Sequence, residues 1–72
     1  MKTTTLVLNQ AGDEEVFRRA GEVLESDPGV ARVLVRADRG KVYVRHSAAR
    51  ASRGHLLGRL REEGIEARVD GS

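Results

Sequence analysis

Val30-Ala31-Arg32-Val33-Leu34-Val35-Arg36-Ala37-Asp38-Arg39-Gly40-Lys41-Val42-Tyr43-Val44-Arg45-His46 holds two β-branched runs joined by Asp38-Arg39-Gly40. Valines alternating with charged residues favour extended backbone with one face buried, and a short link ending in Gly turns the chain back on itself. The stretch predicts a β-hairpin with strands over 30–37 and 41–46. Side chains alternate across a strand. Parity therefore assigns Val33, Val35, Val42 and Val44 to the buried face, and Arg32, Leu34, Arg36, Lys41, Tyr43 and Arg45 to the opposite one.

Working outward, Asp27-Pro28-Gly29 precedes the hairpin and stops whatever comes before it, because proline cannot continue a helical ladder and disfavours helix at the residue before it. Val16, Phe17, Ala20, Val23 and Leu24 form one stripe of a helix. Asp13 is its expected cap, and Glu14 and Glu15 fall in the positively polarised first turn. Residues 4–8 alternate, with Thr4, Leu6 and Leu8 on one face and Thr5 and Val7 on the other. After the hairpin, 47–51 reads as a loop and Ser52 as the cap of a second helix carrying Leu56, Leu57 and Leu60. Gly64 ends that helix, with Arg61 placed to complement its dipole. Ile65-Glu66-Ala67-Arg68-Val69-Asp70 alternates as a half-buried strand.

The order β-α-β-β-α-β predicts an α+β, ferredoxin-like two-layer sandwich with an antiparallel four-stranded sheet, one domain over 1–72. Leu6, Leu8, Val33, Val35, Val42, Val44, Ile65, Ala67 and Val69 are expected against the helices.

The chain has 72 residues and no cysteine, so neither disulfides nor thiolate metal sites contribute to its stability. Thirteen Lys and Arg against eleven Asp and Glu give a net charge of +2, too small an excess to argue for nucleic acid. The apolar run at the start is too short for a signal peptide or membrane span, so a cytoplasmic location, no membrane association and a monomer are expected. Ser47 and Ser52 lie near histidines but serve as turn and cap residues, and there is no Gly-rich phosphate loop. No catalytic residue is assigned and an enzyme is not expected.

Pro28-Gly29-Val30 after the first helix, Leu24 before it, Val33 and Val35, Lys41-Val42-Tyr43-Val44, and Leu56, Leu60 with Gly64-Ile65-Glu66-Ala67 together resemble the heavy-metal-associated domains of copper chaperones and mercury carriers. The resemblance spans nearly the whole chain. It implies the sandwich fold and a role in metal-ion binding or delivery; of the family, the cytosolic chaperones fit better than the periplasmic mercury carriers. The departures cluster where the family reads Gly-Met-x-Cys-x-x-Cys. Ala11 stands for methionine, Asp13 and Val16 for the two cysteines, and Ile65 for a frequent tyrosine. A carboxylate and a valine cannot hold Cu(I) as two thiolates do. The resemblance thus implies a degenerate site.

Two metal readings remain open on the residues. Asp13, Glu14 and Glu15 could give an open, weak site for a hard divalent ion, against the simpler reading as a cap with dipole-complementing acids. His46 and His55, at the opposite end of the sheet, are the alternative ligands. Without a further ligand such a pair usually means surface residues, and His55 is expected to face water. The open sheet face, with Arg32, Leu34, Arg36, Lys41, Tyr43 and Arg45, suits an acidic protein partner. Its alternative is RNA, because RNA-recognition motifs share the topology and Arg39 to His46 partly overlaps their third-strand consensus. One Tyr offers only about 1–3 kcal/mol of stacking, which ranks nucleic acid below protein.

Overall fold

The hairpin forms as its alternation demands. In the computed structural model, which describes residues 1–9 and 13–70, strand β2 (Val30–Arg36) pairs antiparallel with β3 (Lys41–His46). β2 ends one residue before the expected Ala37. Ala37–Arg39 form a 3-10 turn, and the Ala37 carbonyl accepts the Gly40 N–H at 3.1 Å instead of joining the ladder. Gly40 closes the link at φ 70°, where a Cβ is disfavoured. At the other end of β2, Val30 lies opposite His46 and Arg32 opposite Arg45, so Ala31 is the extra residue of a bulge.

Strand β1 (Lys2–Leu8) pairs with the far side of β3, with Thr4 opposite Val44 and Leu6 opposite Val42. Strand β4 (Ala67–Val69) pairs with β1, and the sheet order is β2-β3-β1-β4, antiparallel throughout. β4 is shorter than the alternation suggests. Ile65 is buried as expected, but its N–H goes to the Leu60 carbonyl at 2.9 Å, on the end of the second helix. Pairing resumes only beyond it, and the Asp70 N–H still reaches the Thr5 carbonyl at 2.8 Å.

Helices α1 (Glu14–Glu25) and α2 (Arg53–Glu62) cover one face of the sheet. Leu6, Leu8, Val42 and Val44 from the central strands meet Phe17, Ala20 and Leu24 of α1 and Leu56 and Leu60 of α2, all nearly inaccessible to solvent. Burial of each large side chain contributes about 1.5–3 kcal/mol, so this cluster is the main term favouring the fold. Val33 and Val35 face the helices but stay half-buried, since β2 is an edge strand.

Both caps form. Asp13 Oδ1 accepts the Val16 N–H at 3.3 Å, and Ser52 Oγ accepts the His55 N–H at 3.2 Å. The turn at Asp27-Pro28-Gly29 packs on the 47–51 segment, where the Ser47 N–H reaches the Gly29 carbonyl at 2.9 Å. A Cβ on Gly29 would stand 2.7 Å from the Ala51 Cβ, so only glycine permits this approach. No helix among the described residues is long and apolar enough to cross a membrane.

Candidate functional site

The carboxylates at the start of α1 are arranged as a helix start. Asp13 caps the first turn. Glu15 pairs with Arg18 one turn along, and Arg18 also reaches Glu22 at 3.0 Å. The Arg18 guanidinium holds the Glu15 carboxyl below its usual range. Glu14 points to solvent. Val16 is half-buried against the core and offers no ligand atom. Ala11, where the resemblance places methionine, lies outside the described residues. Among the described residues no three metal-capable side chains converge.

Of the two histidines, His46 departs from the surface reading. His46 is wholly buried, on the same strand face as Val42 and Val44. Its Nδ1 lies 2.6 Å from the Ala51 carbonyl and its Nε2 lies 2.7 Å from Thr4 Oγ1. A carbonyl can only accept, so Nδ1 carries a proton and donates to it, and Nε2 shares a hydrogen bond with the Thr4 hydroxyl. Both ring nitrogens are thereby used within the fold, and none is left for a metal. His55 is exposed, as expected, and its Nε2 bonds the buried Asp27. The histidines thus do not share a site; each is committed to a different buried group.

Asp27 is the hub of this end of the molecule. Although 4% exposed, its carboxylate accepts the Gly29 N–H at 2.8 Å, bonds His55 and lies 3.8 Å from Arg59 Nε. The Gly29 N–H lowers its pKa most; burial opposes, and His55 and Arg59 add to the lowering. Arg59 also donates to Ser26 Oγ at 3.0 Å, so the cluster ties α2 to the end of α1. Sequence reading missed Asp27 as anything but part of a helix stop, since its side-chain partners His55 and Arg59 lie 28 or more residues away along the chain. The burial of His46 was available from its parity with Val44.

On the open face the register brings the sequence-predicted residues into rows. Arg36 is opposite Lys41, Leu34 opposite Tyr43, and Arg32 opposite Arg45. On β1 the rows continue to Val7, Thr5 and Thr3. Arg68, opposite Val7, extends the first row on β4, and the alternation of that strand already pointed it outward. Like charges directly opposite each other destabilise a sheet. At the hairpin end Arg36 and Lys41 each have an acid, with Arg36 3.5 Å from Asp38 and Lys41 3.4 Å from Asp70. Among the described residues no acidic side chain forms a salt bridge with Arg32 or Arg45, and both are exposed. Leu34 between these ends is 52% exposed.

The sequence matches no protein-family model and no curated protein. Solved structures do match. Oxidized MerP from Ralstonia metallidurans CH34 superposes with a TM-score of 0.88 at 19% identity, covering 96% of each chain. The fold is that of the heavy-metal-associated domains. A copper binding domain from the P-type ATPase HMA7 gives a TM-score of 0.87 at 13% identity, over 96% of this chain and 93% of that one. CopZ metallochaperone gives 0.82 at 13% identity, over 93% and 100%. The sandwich anticipated from the β-α-β-β-α-β order is therefore the observed one, and at these identities the likeness concerns the fold.

Proposed function

We propose that this chain is a heavy-metal-associated-type domain that works as a protein-docking module, with its soft-metal site degenerate. The solved structures it resembles include one described as a metallochaperone and one as copper binding. Metal binding or delivery is accordingly the ancestral role we infer. In this chain the first thiolate position, Asp13, carries a carboxylate bonded to the backbone of Val16, and the second, Val16 itself, has no ligand atom. Soft-metal binding there is weak or absent, and a divalent ion on Asp13, Glu14 and Glu15 would displace a cap rather than fill a prepared cage.

The observation that carries the docking reading is the in-register opposition of Arg32 to Arg45 and Arg36 to Lys41 around Leu34 and Tyr43. An arrangement unfavourable to the isolated sheet becomes favourable against an acid-rich protein segment, which supplies the missing charge and covers the exposed leucine. Nothing in this reading requires catalysis.

Amide shifts by NMR test both halves. An acidic peptide should move Arg32, Leu34, Tyr43 and Arg45, with the effect fading at high salt; silence across these residues would sink the docking reading. Cu(I) and Zn(II) should leave Asp13 to Val16 and His46 unmoved, while the D13C/V16C double variant should gain Cu(I) affinity. A wild-type response confined to Asp13–Val16 would restore metal binding as the present role.

A further inference from the structure

The charges of the open face are unevenly distributed, and this narrows what an acidic partner must offer. At the hairpin end, Arg36 and Lys41 are already neutralised by Asp38 and Asp70. At the other end, Arg32 and Arg45 stand directly opposite each other, with Thr3 opposite Arg45 on the next strand. Directly opposed residues have Cβ atoms about 4.5–5.5 Å apart, so two guanidinium forks can converge on one small group. Two positive charges at one point, with planar paired donors and a neighbouring hydroxyl, match a dianion with several oxygens better than a single carboxylate. A phosphate monoester is such a group, carrying nearly two charges near neutral pH.

Resting on the docking reading above, we propose that the row Arg32–Arg45–Thr3 is a clamp for a phosphorylated side chain of an otherwise acidic, extended partner segment. The neighbouring row sets the next requirement. Same-face positions along a strand repeat every two residues, about 6.5–7 Å, and one step from the clamp lie the exposed Leu34 and, opposite it, the half-buried Tyr43. The segment therefore carries an apolar residue two positions from the phosphorylated one. A further two positions on, over Arg36 and Lys41, it meets cations that already have partners, and its side chain there matters little. RNA fits less well, because its phosphodiesters carry one charge each and the face offers Tyr43 as its only aromatic.

The test compares three acidic peptides with leucine two positions from a central residue that is phosphoserine, serine or glutamate. Binding to the whole chain is followed by NMR at physiological salt, with inorganic phosphate and single-stranded oligouridine as separate arms. The phosphoserine peptide should bind about tenfold tighter than the serine one, through new charge-assisted bonds. Glutamate should recover only part of that gain. In R32Q/R45Q, phosphoserine and serine peptides should bind alike; R32K, which keeps the charge and loses the fork, should fall between. The double variant relieves a like-charge opposition, so it should be no less stable than wild type, and its melting temperature checks that it folds. Inorganic phosphate should shift Arg32 and Arg45 in wild type alone. Equal binding of the phosphoserine and serine peptides would overturn the clamp and leave the docking reading intact. No binding of any peptide would overturn both. A phosphate preference that survives R32Q/R45Q would also overturn the clamp, and oligouridine binding centred on Tyr43 without a phosphoserine preference would favour RNA instead.

Discussion

At the end of the sheet where β1 begins, Thr4, His46, Asp27 and His55 are joined to groups far along the chain, 42 residues apart for Thr4 and His46 and 28 for Asp27 and His55. At the end where α1 begins, Asp13 and Glu15 bond only to atoms three residues away, and both are exposed. The first end is built around three buried polar groups, Thr4, Asp27 and His46, whose removal leaves a partner stranded. At the second, the carboxylates of the α1 start make only local, solvated contacts. A metal-site resemblance directs attention to the second end, yet the fold depends on the first. A capping residue at an exposed helix start can be exchanged with little effect on packing.

The largest effect that would test this contrast is at His46. H46A should destabilise the domain by about 3–5 kcal/mol, combining a cavity with an unpartnered Ala51 carbonyl and Thr4 hydroxyl. Urea unfolding measures it, and a loss under 1 kcal/mol would mean that His46 is not the buried anchor described. Next comes Gly29. G29A forces a Cβ to 2.7 Å from Ala51, and overpacking of this kind should cost about 1–3 kcal/mol.

Asp27 gives the contrast a pH signature. Its folded pKa is lowered, chiefly by the Gly29 N–H, so the unfolded chain binds the proton more readily. The associated stability is fully present above the ordinary carboxylate pKa of about 3.9 and disappears as pH falls through the lower folded value. D27N should cost about 1–3 kcal/mol at neutral pH. Below about pH 4 the gap between variant and wild type should narrow, because the protonated wild-type carboxyl has lost its charge as well. Denaturant melts across the acidic range check this; a gap constant with pH would show that the charge of Asp27 does no stabilising work.

Much of this was legible in the chain because it is periodic and local. Val42, Val44, Leu6 and Leu8 alternate, Phe17, Ala20 and Leu24 repeat at helical spacing, and Asp13 and Ser52 sit where caps belong. Such patterns depend on neighbours a few residues apart. What was not legible depends on which distant backbone arrives beside which. Asp27 reads as the first residue of a stop signal until α2 brings His55 and Arg59 to it. His46 follows the parity of Val44, but its polar nature outweighed that parity until Thr4 and Ala51 supplied its two bonds. On the open face, alternation placed the six residues on one side, whereas the pairing of arginine with arginine needed the register, which the Ala31 bulge shifts by one.

The smallest effect is at Asp13, and its size is what separates a cap from a ligand. D13A removes one side-chain acceptor from the α1 start and should cost about 1 kcal/mol, while D13S should restore most of it because serine caps as well. Neither value should change when a chelator is added, since a cap needs no ion. A carboxylate ligand behaves differently: serine is a poor replacement, and the wild type would lose stability on chelation by an amount set by the ion's concentration and affinity. Thermal melts of wild type, D13A and D13S, each with and without EDTA, therefore distinguish the two. If D13S melts with the wild type in both conditions, the start of α1 is a structural feature, and docking on the open sheet face becomes the chemistry to pursue. If only the wild type responds to EDTA, the exposed end holds an ion after all.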